Sequence, residues 1–341
     1  MIFIMGMMTA KKIGIDLGTA NSLVWVEGQG IVLNEPTVVA VTLDDNRVIA
    51  VGDEAKQMLG RTPGNIRASR PMREGVIADY VVTEAMLRYF VQKVSNRSFF
   101  FKPEVMICVA AGCTQVERRA VLDATMAAGA RNAYLIDEPL AAAIGAEIPI
   151  AAASGNMIID IGGGAAEAAI ISLGAVVVHK SVRVAGNKID EAISLWVRKK
   201  HNLIIGDQTA ENVKIKIGSA LPLAKEEKME VKGRDSVTGL PKIVELTSTE
   251  ITEAIRPPLN QIIGAVKNVL EETPPELAAD IIDKGIVMSG GTSTLRGFDK
   301  YMTQEIGVPS HTAEEPLYCV VKGIGVALEN IELYKRAITQ K

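Results

Sequence analysis

A short pattern of apolar residues, an aspartate and glycines occurs twice in this 341-residue chain. The first copy is IGIDLGT at residues 13–19, and the second is MIIDIGGG at residues 157–164. In each copy an apolar strand places a carboxylate, Asp16 or Asp160, before a glycine turn, and a second apolar strand follows. Glycine lets backbone N–H groups approach phosphate oxygens, and a carboxylate at a strand end can hold a hydrated divalent cation. The pattern therefore predicts two β-hairpins that together bind a polyphosphate and its metal.

A third glycine junction supports this interpretation. An Asp-Gly turn alone usually only reverses the chain. The sequence IVMSGGT at residues 286–292 again ends an apolar strand in glycines, and we expect a helix after it with Ser293 as its N-cap. Three such junctions in one chain favour a single nucleotide that is held from three sides.

Composition excludes several other classes of protein. The chain is 48% hydrophobic and 23% charged, as is usual for globular proteins, and its length is sufficient for two lobes. A net charge of -3 gives no basic surface for nucleic acid, so we expect no nucleic-acid partner. Cys108, Cys113 and Cys319 lack metal-ligand spacing, which favours buried thiols in a reducing compartment. With three histidines in the whole chain, we expect no zinc site.

Hydrophobic periodicity predicts an α/β organisation. Apolar residues recur at helical spacing over residues 82–94 and 116–127, whereas the short apolar runs at 105–109 and 134–136 are typical of buried strands. No apolar stretch reaches the roughly 18–20 residues that span a bilayer, and no secretory signal is apparent. We therefore expect a cytoplasmic protein.

The order of the motifs carries a resemblance to a known family. The sequences DLGT (residues 16–19), EPLAAA (138–143), DIGGG (160–164) and SGGT (289–292) resemble the ATPase superfamily of actin, sugar kinases and heat-shock chaperones. Within it, GIVLNEP (30–36), RPMREGVIAD (70–79) and TQVERRA (114–120) resemble the MreB family, the bacterial actin homologues that guide cell-wall growth. The similarity extends from about Lys12 to the C-terminal helix.

The resemblance implies an actin-like α/β fold. Two lobes would each contain a mixed-sheet core subdomain and a smaller inserted subdomain, with the nucleotide in the cleft between the lobes. Inner subdomain IA would comprise residues 1–33, 77–146 and 319–341, and outer subdomain IB residues 34–76. Inner subdomain IIA would comprise residues 147–185 and 249–318, and outer subdomain IIB residues 186–248.

It also implies roles for individual residues. Asp16 and Asp160 would hold hydrated Mg²⁺, and Glu138, placed by Pro139 at the start of a helix, would position the attacking water. The alternative for Glu138 is a carboxylate favoured only by the helix dipole. ATP or ADP would contact Gly18, Thr19, Ala20, Asn21, Gly162, Gly163, Gly164, Gly186, Glu211, Lys214, Gly290, Gly291 and Thr292. Glu211 and Lys214 are three residues apart and share a helix face, so an exposed ion pair within that helix is the alternative for them.

One departure from the family bears on hydrolysis. Ala165 and Ala166 stand where MreB-like proteins typically carry two threonines. Backbone N–H groups survive this change, but a methyl group cannot replace a hydroxyl that orders the attacking water. We therefore expect nucleotide binding with slowed ATP hydrolysis.

The implied function is that of a cytoskeletal ATPase. By resemblance it would polymerise with ATP into antiparallel double protofilaments on the inner face of the plasma membrane, and organise cell-wall synthesis and rod shape with morphogenesis membrane proteins. Membrane contact would come from Phe100 and Phe101 and from the N-terminal residues Ile2, Phe3 and Ile4. Core packing is the alternative for the phenylalanines, and a later start at Met5, Met7 or Met8 for the N-terminus. A sugar or acyl kinase and a chaperone-type ATPase module are the rival functions.

Overall fold

The computed structural model describes residues 10–45, 47–73, 75–95 and 102–340 of the chain. It divides into two compact units. Unit 1 comprises Met1–Val109, Cys113–Asp137 and Val321–Lys341, and unit 2 comprises Ala110–Gly112 and Glu138–Val320. The finer division into four subdomains stays a prediction.

The described residues form a mixture of strands and helices, as the periodicity predicts. The strands are β1 (Lys12–Leu17), β2 (Asn21–Val26), β3 (Gly30–Pro36), β4 (Val39–Thr42), β5 (Val48–Val51), β6 (Ile66–Ser69), β7 (Met72–Arg73), β8 (Val76–Ile77), β9 (Glu104–Val109), β10 (Asn132–Asp137), β11 (Asn156–Ile161), β12 (Ala166–Ser172), β13 (Ala175–Val182), β14 (Leu203–Ile204), β15 (Lys228–Asp235), β16 (Pro241–Thr247), β17 (Ile286–Ser289), β18 (Ser310–Thr312) and β19 (Ile338–Gln340). The helices are α1 (Asp53–Met58), α2 (Tyr80–Val94), α3 (Gln115–Ala127), α4 (Glu138–Gly145), α5 (Gly186–His201), α6 (Asp207–Ile217), α7 (Ser248–Glu271), α8 (Pro275–Lys284), α9 (Phe298–Ile306), α10 (Cys319–Glu329) and α11 (Ile331–Tyr334), with 3₁₀ turns at Gly291–Thr294 and Pro316–Tyr318.

The main sheet of unit 1 has six strands in the order β19-β10-β9-β1-β2-β3. Strand β1 pairs antiparallel with β2 and parallel with β9, and β9 pairs parallel with β10. Because β1 is central, its apolar residues Ile13 and Ile15 are fully buried. The sheet therefore fixes the end of β1, where Asp16 lies.

The main sheet of unit 2 repeats this arrangement. Its order is β13-β12-β11-β17-β18, in which β11 pairs antiparallel with β12 and parallel with β17, and β17 pairs parallel with β18. The strands β3-β2-β1-β9-β10 of unit 1 follow the same pattern of directions. The repeated sequence pattern thus corresponds to a repeated sheet.

Helices cover these sheets and begin at good caps. The Asp79 side chain accepts from the backbone N–H of Val82 at the start of α2, and Thr114 forms a capping box with Glu117 at the start of α3. Phe90 of α2 is fully buried in the core of unit 1 with strands β1 and β9. The core of unit 2 combines α5, α6 and α7 with strands β11 and β12.

Three smaller sheets complete the described residues. The sheet β5-β4-β6 packs with α1, and β7 pairs with β8 in unit 1. In unit 2, β14, β15 and β16 form an antiparallel sheet. Strands β15 and β16 of this sheet form a β-hairpin.

Two local predictions are wrong. Ser293 does not cap a helix: it lies inside the 3₁₀ turn Gly291–Thr294, and the next helix, α9, has Gly297 as its N-cap. The C-terminal residues are not one continuous helix, because α10 ends at Glu329 and the chain then forms α11 and β19. Strand β19 pairs antiparallel with β10 and covers that edge of the unit 1 sheet.

Candidate functional site

The first glycine hairpin lies in unit 1, between β1 and β2. Asp16, on β1, is 8% exposed, and its Oδ1 accepts a hydrogen bond from the Cys108 thiol at 3.4 Å. The turn that follows contains the predicted residues Gly18, Thr19 and Ala20, and Asn21 begins β2. Strand pairing and this turn therefore hold one carboxylate next to a group of backbone amides.

Side chains from outside the turn fix its conformation. The Thr37 hydroxyl donates to the Gly18 carbonyl at 2.6 Å and lies 2.8 Å from the Ser22 hydroxyl. The Thr19 hydroxyl accepts from the backbone N–H of Gly75 at 3.1 Å. These bonds hold the turn in a preformed shape, which lowers the cost of binding a ligand there.

The second glycine hairpin lies in unit 2, between β11 and β12. Asp160 is 3% exposed, and its Oδ1 accepts from the Ser289 hydroxyl at 2.7 Å. Burial raises the pKa of the Asp160 carboxyl, whereas hydrogen bonds with Ser289 and Glu138 oppose that rise. Glu167 stands opposite Asp160 in the strand register and accepts from the Ala111 backbone N–H at 3.1 Å. Two buried acidic groups thus stand side by side in unit 2.

Glu138 is the first residue of α4, which directly follows β10. The helix is fixed by its buried apolar residues, which run from Pro139 to Ile144. Asp137, the last residue of β10, pairs with Arg118 of α3 at 2.5 Å. Since Glu138 hydrogen-bonds to Asp160, the structure brings together two of the predicted catalytic side chains.

The two glycine junctions of unit 2 meet the start of α5 at Gly162 and Gly186. The Gly162 carbonyl accepts from the Thr292 hydroxyl at 2.7 Å and from the Gly186 N–H at 3.2 Å. The Asn187 N–H donates to the Gly163 carbonyl at 2.8 Å. A Cβ built on Gly186 would lie 2.8 Å from Thr292 Oγ1, so only glycine fits there without movement. Distant parts of the chain are therefore joined at the N-terminus of α5.

Lys214 reaches the same cluster from α6. Its ammonium lies 2.9 Å from Asp190 Oδ1, 3.1 Å from Asp190 Oδ2 and 3.3 Å from the Gly186 carbonyl. Glu211 lies one turn earlier on α6 and is half-buried. Gly290 and Gly291 enter the 3₁₀ turn that carries Thr292, and Gly290 takes a φ of 81°, which favours glycine.

The donors present in unit 2 fit a phosphate. Among the residues that the structure describes, the backbone N–H groups of Gly163 and Gly164 have no acceptor, so both remain able to bind an anion. Within the same described part of the chain, no group of three or more Asp, Glu, His or Cys side chains could hold a metal ion. A divalent cation bound here would therefore keep water and phosphate ligands, as Mg²⁺ usually does.

The two alanines that replace hydroxyl residues occupy different environments. Ala166 is fully buried in β12, where it pairs with Ile161 and Val182. Ala165 lies in the turn, is half-buried, and its carbonyl accepts the Gly162 N–H at 3.0 Å. A hydroxyl at position 165 would stand beside the glycine turn, whereas one at position 166 would stand inside the sheet.

The predicted membrane residues Phe100, Phe101, Ile2, Phe3 and Ile4 lie outside the described residues. In the part of the chain that the structure describes, no helix combines the length and apolar character needed to cross a membrane.

Sequence reasoning missed four polar side chains at the site: Cys108, Asp190 and Ser289 contact predicted site residues, and Glu167 stands opposite Asp160 in the strand register. A signal was available for two of them. Ser289 belongs to the SGGT motif, and Glu167 follows the second glycine turn at strand spacing. Nothing local marks Cys108 or Asp190, because each depends on the packing of separate elements.

Comparison with known proteins identifies relatives over nearly the whole chain. A family model described as MreB/Mbl protein matches residues 10–336. The chain is 49% identical to the cell shape-determining protein Mbl of Bacillus cereus over 332 residues, which cover 97% of this chain and 100% of that protein. It is 51% identical to the cell shape-determining protein MreB of Escherichia coli, with 96% of each covered.

Solved structures agree with this result. The structure of MreB5 of Spiroplasma citri bound to ADP superimposes with a TM-score of 0.90 at 39% identity, covering 95% of this chain and 99% of that one. The AMPPNP-bound form of the same protein gives a TM-score of 0.91 at 38% identity, covering 96% and 98%.

Proposed function

Because the chain belongs to the MreB/Mbl family and has its actin-like fold, we propose that it is a cell shape-determining cytoskeletal protein that binds ATP or ADP with Mg²⁺, hydrolyses ATP and polymerises. Family membership disfavours the rival functions of a metabolic kinase and of a chaperone module. The ADP and AMPPNP bound to MreB5 support an adenine nucleotide as the ligand.

The observation that carries the nucleotide proposal is the convergence at Gly162. Two of the predicted glycine junctions and the start of α5, which are far apart in sequence, meet there through the Thr292 hydroxyl and the Gly186 N–H. The Gly163 and Gly164 N–H groups add donors for phosphate oxygens. In this proposal Gly18, Thr19, Ala20 and Asn21 supply the corresponding donors of the first hairpin. The nucleotide contacts also include Gly290 and Gly291, with Glu211 and Lys214 at its nucleoside end.

The acidic side chains would then divide the chemistry. Asp16 and Asp160 hold the hydrated Mg²⁺, which when bound neutralises charge on the polyphosphate. Glu138 orients the attacking water through its carboxylate, from the start of α4 beside Asp160. Ser289 keeps Asp160 in place through the 2.7 Å bond to Oδ1.

The central experiment measures assembly and phosphate release together. We expect ATP to drive the protein into the pellet and to give filaments by negative-stain microscopy. We expect Glu138→Gln to keep nucleotide affinity and to lower phosphate release about 100-fold. Glu271→Gln, at an exposed position of α7, is the control and should behave as wild type. Unchanged phosphate release in Glu138→Gln would exclude Glu138 from hydrolysis, and transfer of phosphate to a sugar would favour the kinase.

Slowed hydrolysis is a second part of the proposal. Ala165→Thr restores a hydroxyl beside the glycine turn, and we expect faster phosphate release, on the order of tenfold. Ala165→Val is the matched control, because valine has the shape of threonine without the hydroxyl. Ala166→Thr is less informative, since it also places a polar group in the interior of the sheet. Equal rates for the threonine and valine variants would show that the hydroxyl is irrelevant.

We also propose peripheral attachment to the inner face of the plasma membrane, near the proteins of cell-wall synthesis. Phe100, Phe101, Ile2, Phe3 and Ile4 are the candidate contacts. Each buried phenylalanine contributes about 1.5–3 kcal/mol, so a filament with many copies binds far better than one subunit. Vesicle flotation of Phe100→Ser/Phe101→Ser tests this: wild-type filaments should float with the vesicles, whereas the variant should assemble but stay at the bottom of the gradient.

A further inference from the structure

We propose that Asp190 is a positioning residue, which holds the Lys214 ammonium at the N-terminus of α5 in the arrangement that binds a nucleotide. The inference rests on the proposed nucleotide-binding function. The inference adds Asp190, a residue of α5, as the group that allows Lys214 to contact the nucleotide.

The geometry of the pair is specific. Both carboxylate oxygens of Asp190 lie near the ammonium, at 2.9 and 3.1 Å, and the Gly186 carbonyl lies at 3.3 Å. The Lys214 side chain is 16% exposed and the Asp190 side chain 14% exposed. A pair this protected from water is screened less than a surface ion pair, so it fixes the lysine more firmly.

The position of the ammonium matters because of what surrounds Gly186. The Lys214 ammonium lies 3.4 Å from the point where a Gly186 Cβ would be, and Thr292 Oγ1 lies 2.8 Å from the same point. The Gly186 N–H is bonded to the Gly162 carbonyl. Asp190 thus keeps a cation within contact distance of the residue on which the glycine junctions converge.

Lys214 would not stay there without its partner. A lysine side chain has a flexible four-carbon stem, and it loses much rotamer freedom when it is fixed. The N-terminus of a helix also carries partial positive charge, which disfavours a nearby ammonium. Without the Asp190 carboxylate the ammonium would move to solvent, and the nucleotide would have to order it again on binding.

The same helix offers a matched control. Lys188 and Glu191 form an ion pair at 2.8 Å, three residues apart on α5, with side chains 41% and 58% exposed. Such a surface pair contributes little to stability. Glu191→Gln therefore removes one carboxylate from α5 without touching Lys214.

Calorimetric titration of ADP with Mg²⁺ into the full-length protein tests the inference. We expect Asp190→Asn, which keeps the shape of the side chain, to weaken ADP binding about tenfold, and Lys214→Met to weaken it at least as much. The double variant should bind no more weakly than Lys214→Met, because Asp190 acts through Lys214. Glu191→Gln should bind as wild type does.

Thermal unfolding separates positioning from a merely structural role. A structural role would lower the Tm of the nucleotide-free Asp190→Asn protein but leave the Tm increase caused by ADP unchanged, whereas positioning reduces that increase. The inference is overturned if Asp190→Asn binds ADP as tightly as wild type, or if the two single effects add in the double variant. If the wild-type protein itself fails to bind ADP, the proposed function fails instead.

Discussion

The tight contact at Gly186 allows one substitution to be worked through quantitatively. In Gly186→Ala the new Cβ would lie 2.8 Å from Thr292 Oγ1, whereas ordinary contacts begin at 3.4 Å. The Thr292 hydroxyl must therefore move by about 0.6 Å, the difference between these distances. It then loses its 2.7 Å hydrogen bond to the Gly162 carbonyl.

Two costs follow from this movement. A lost hydrogen bond costs about 0.5–1.5 kcal/mol, and overpacking of a tight site costs about 1–3 kcal/mol. We expect a total of about 2 kcal/mol, because Gly186 begins α5 and alanine is tolerated there as a helix former. For a chain of this length, that corresponds to a fall in Tm of about 3 °C.

The assay is thermal unfolding of a double-mutant cycle with Thr292→Ala. Thr292→Ala removes the atom that Gly186→Ala meets, so Gly186→Ala should cost less than about 0.5 kcal/mol in that background. Gly264→Ala is the control: Gly264 lies within α7 with nothing within 4 Å of its Cβ position, so alanine should be neutral or stabilise by up to about 1 kcal/mol. A Gly186→Ala protein as stable as wild type, or an equal loss in both backgrounds, would refute the reasoning.

Three further predictions concern stability. Burial raises the pKa of the Asp160 carboxyl above the ordinary value of 3.8. Ionisation of Asp160 therefore destabilises the folded protein increasingly as pH rises from 3.8 through the folded-state pKa. Nucleotide-free Asp160→Asn should have a higher Tm than wild type at pH 8, and this difference in Tm should be no smaller than the difference at pH 5. The Lys284 ammonium donates to Ser154 Oγ, the Gly155 carbonyl and Asn156 Oδ1 at 2.6–3.1 Å. Lys284→Met should therefore lower the free energy of unfolding, measured by urea titration, by about 1–2 kcal/mol. An unchanged free energy of unfolding would show that these hydrogen bonds are dispensable. Gly325→Ala should lower Tm despite its helical position, because its Cβ would meet the Trp25 ring at 2.7–2.9 Å; a Tm equal to that of Gly264→Ala would contradict this.

The sequence allowed the repeated architecture to be predicted because the signal is local. The apolar strands on either side of Asp16 and Asp160 have strand periodicity, and each glycine turn lies between its two strands. The same holds for α3, where the helical spacing over residues 116–127 is local and the structure adds a capping box of Thr114 and Glu117.

The remaining features depend on contacts between distant elements. Lys214 and Asp190 are 24 residues apart and meet only because α5 packs on α6. The Ser293 cap was wrong because Gly290, with a φ of 81°, leads into a 3₁₀ turn whose closure uses the Ser293 hydroxyl on the Gly290 carbonyl. No periodicity in the sequence distinguishes these arrangements from ordinary surface helices and turns.

The pairing of β19 with β10 has a practical consequence for imaging. A fluorescent protein fused to the C-terminus would be attached directly to β19, the edge strand of the unit 1 sheet. A bulky domain at this position would favour separation of β19 from β10, where Ile338 pairs with Ile136. Separation of β19 would expose the unpaired backbone N–H and C=O groups of β10, which promote aggregation by pairing with strands of other chains. A label inserted at the exposed turn between β15 and β16, near Thr238, avoids this hazard for the border of unit 1.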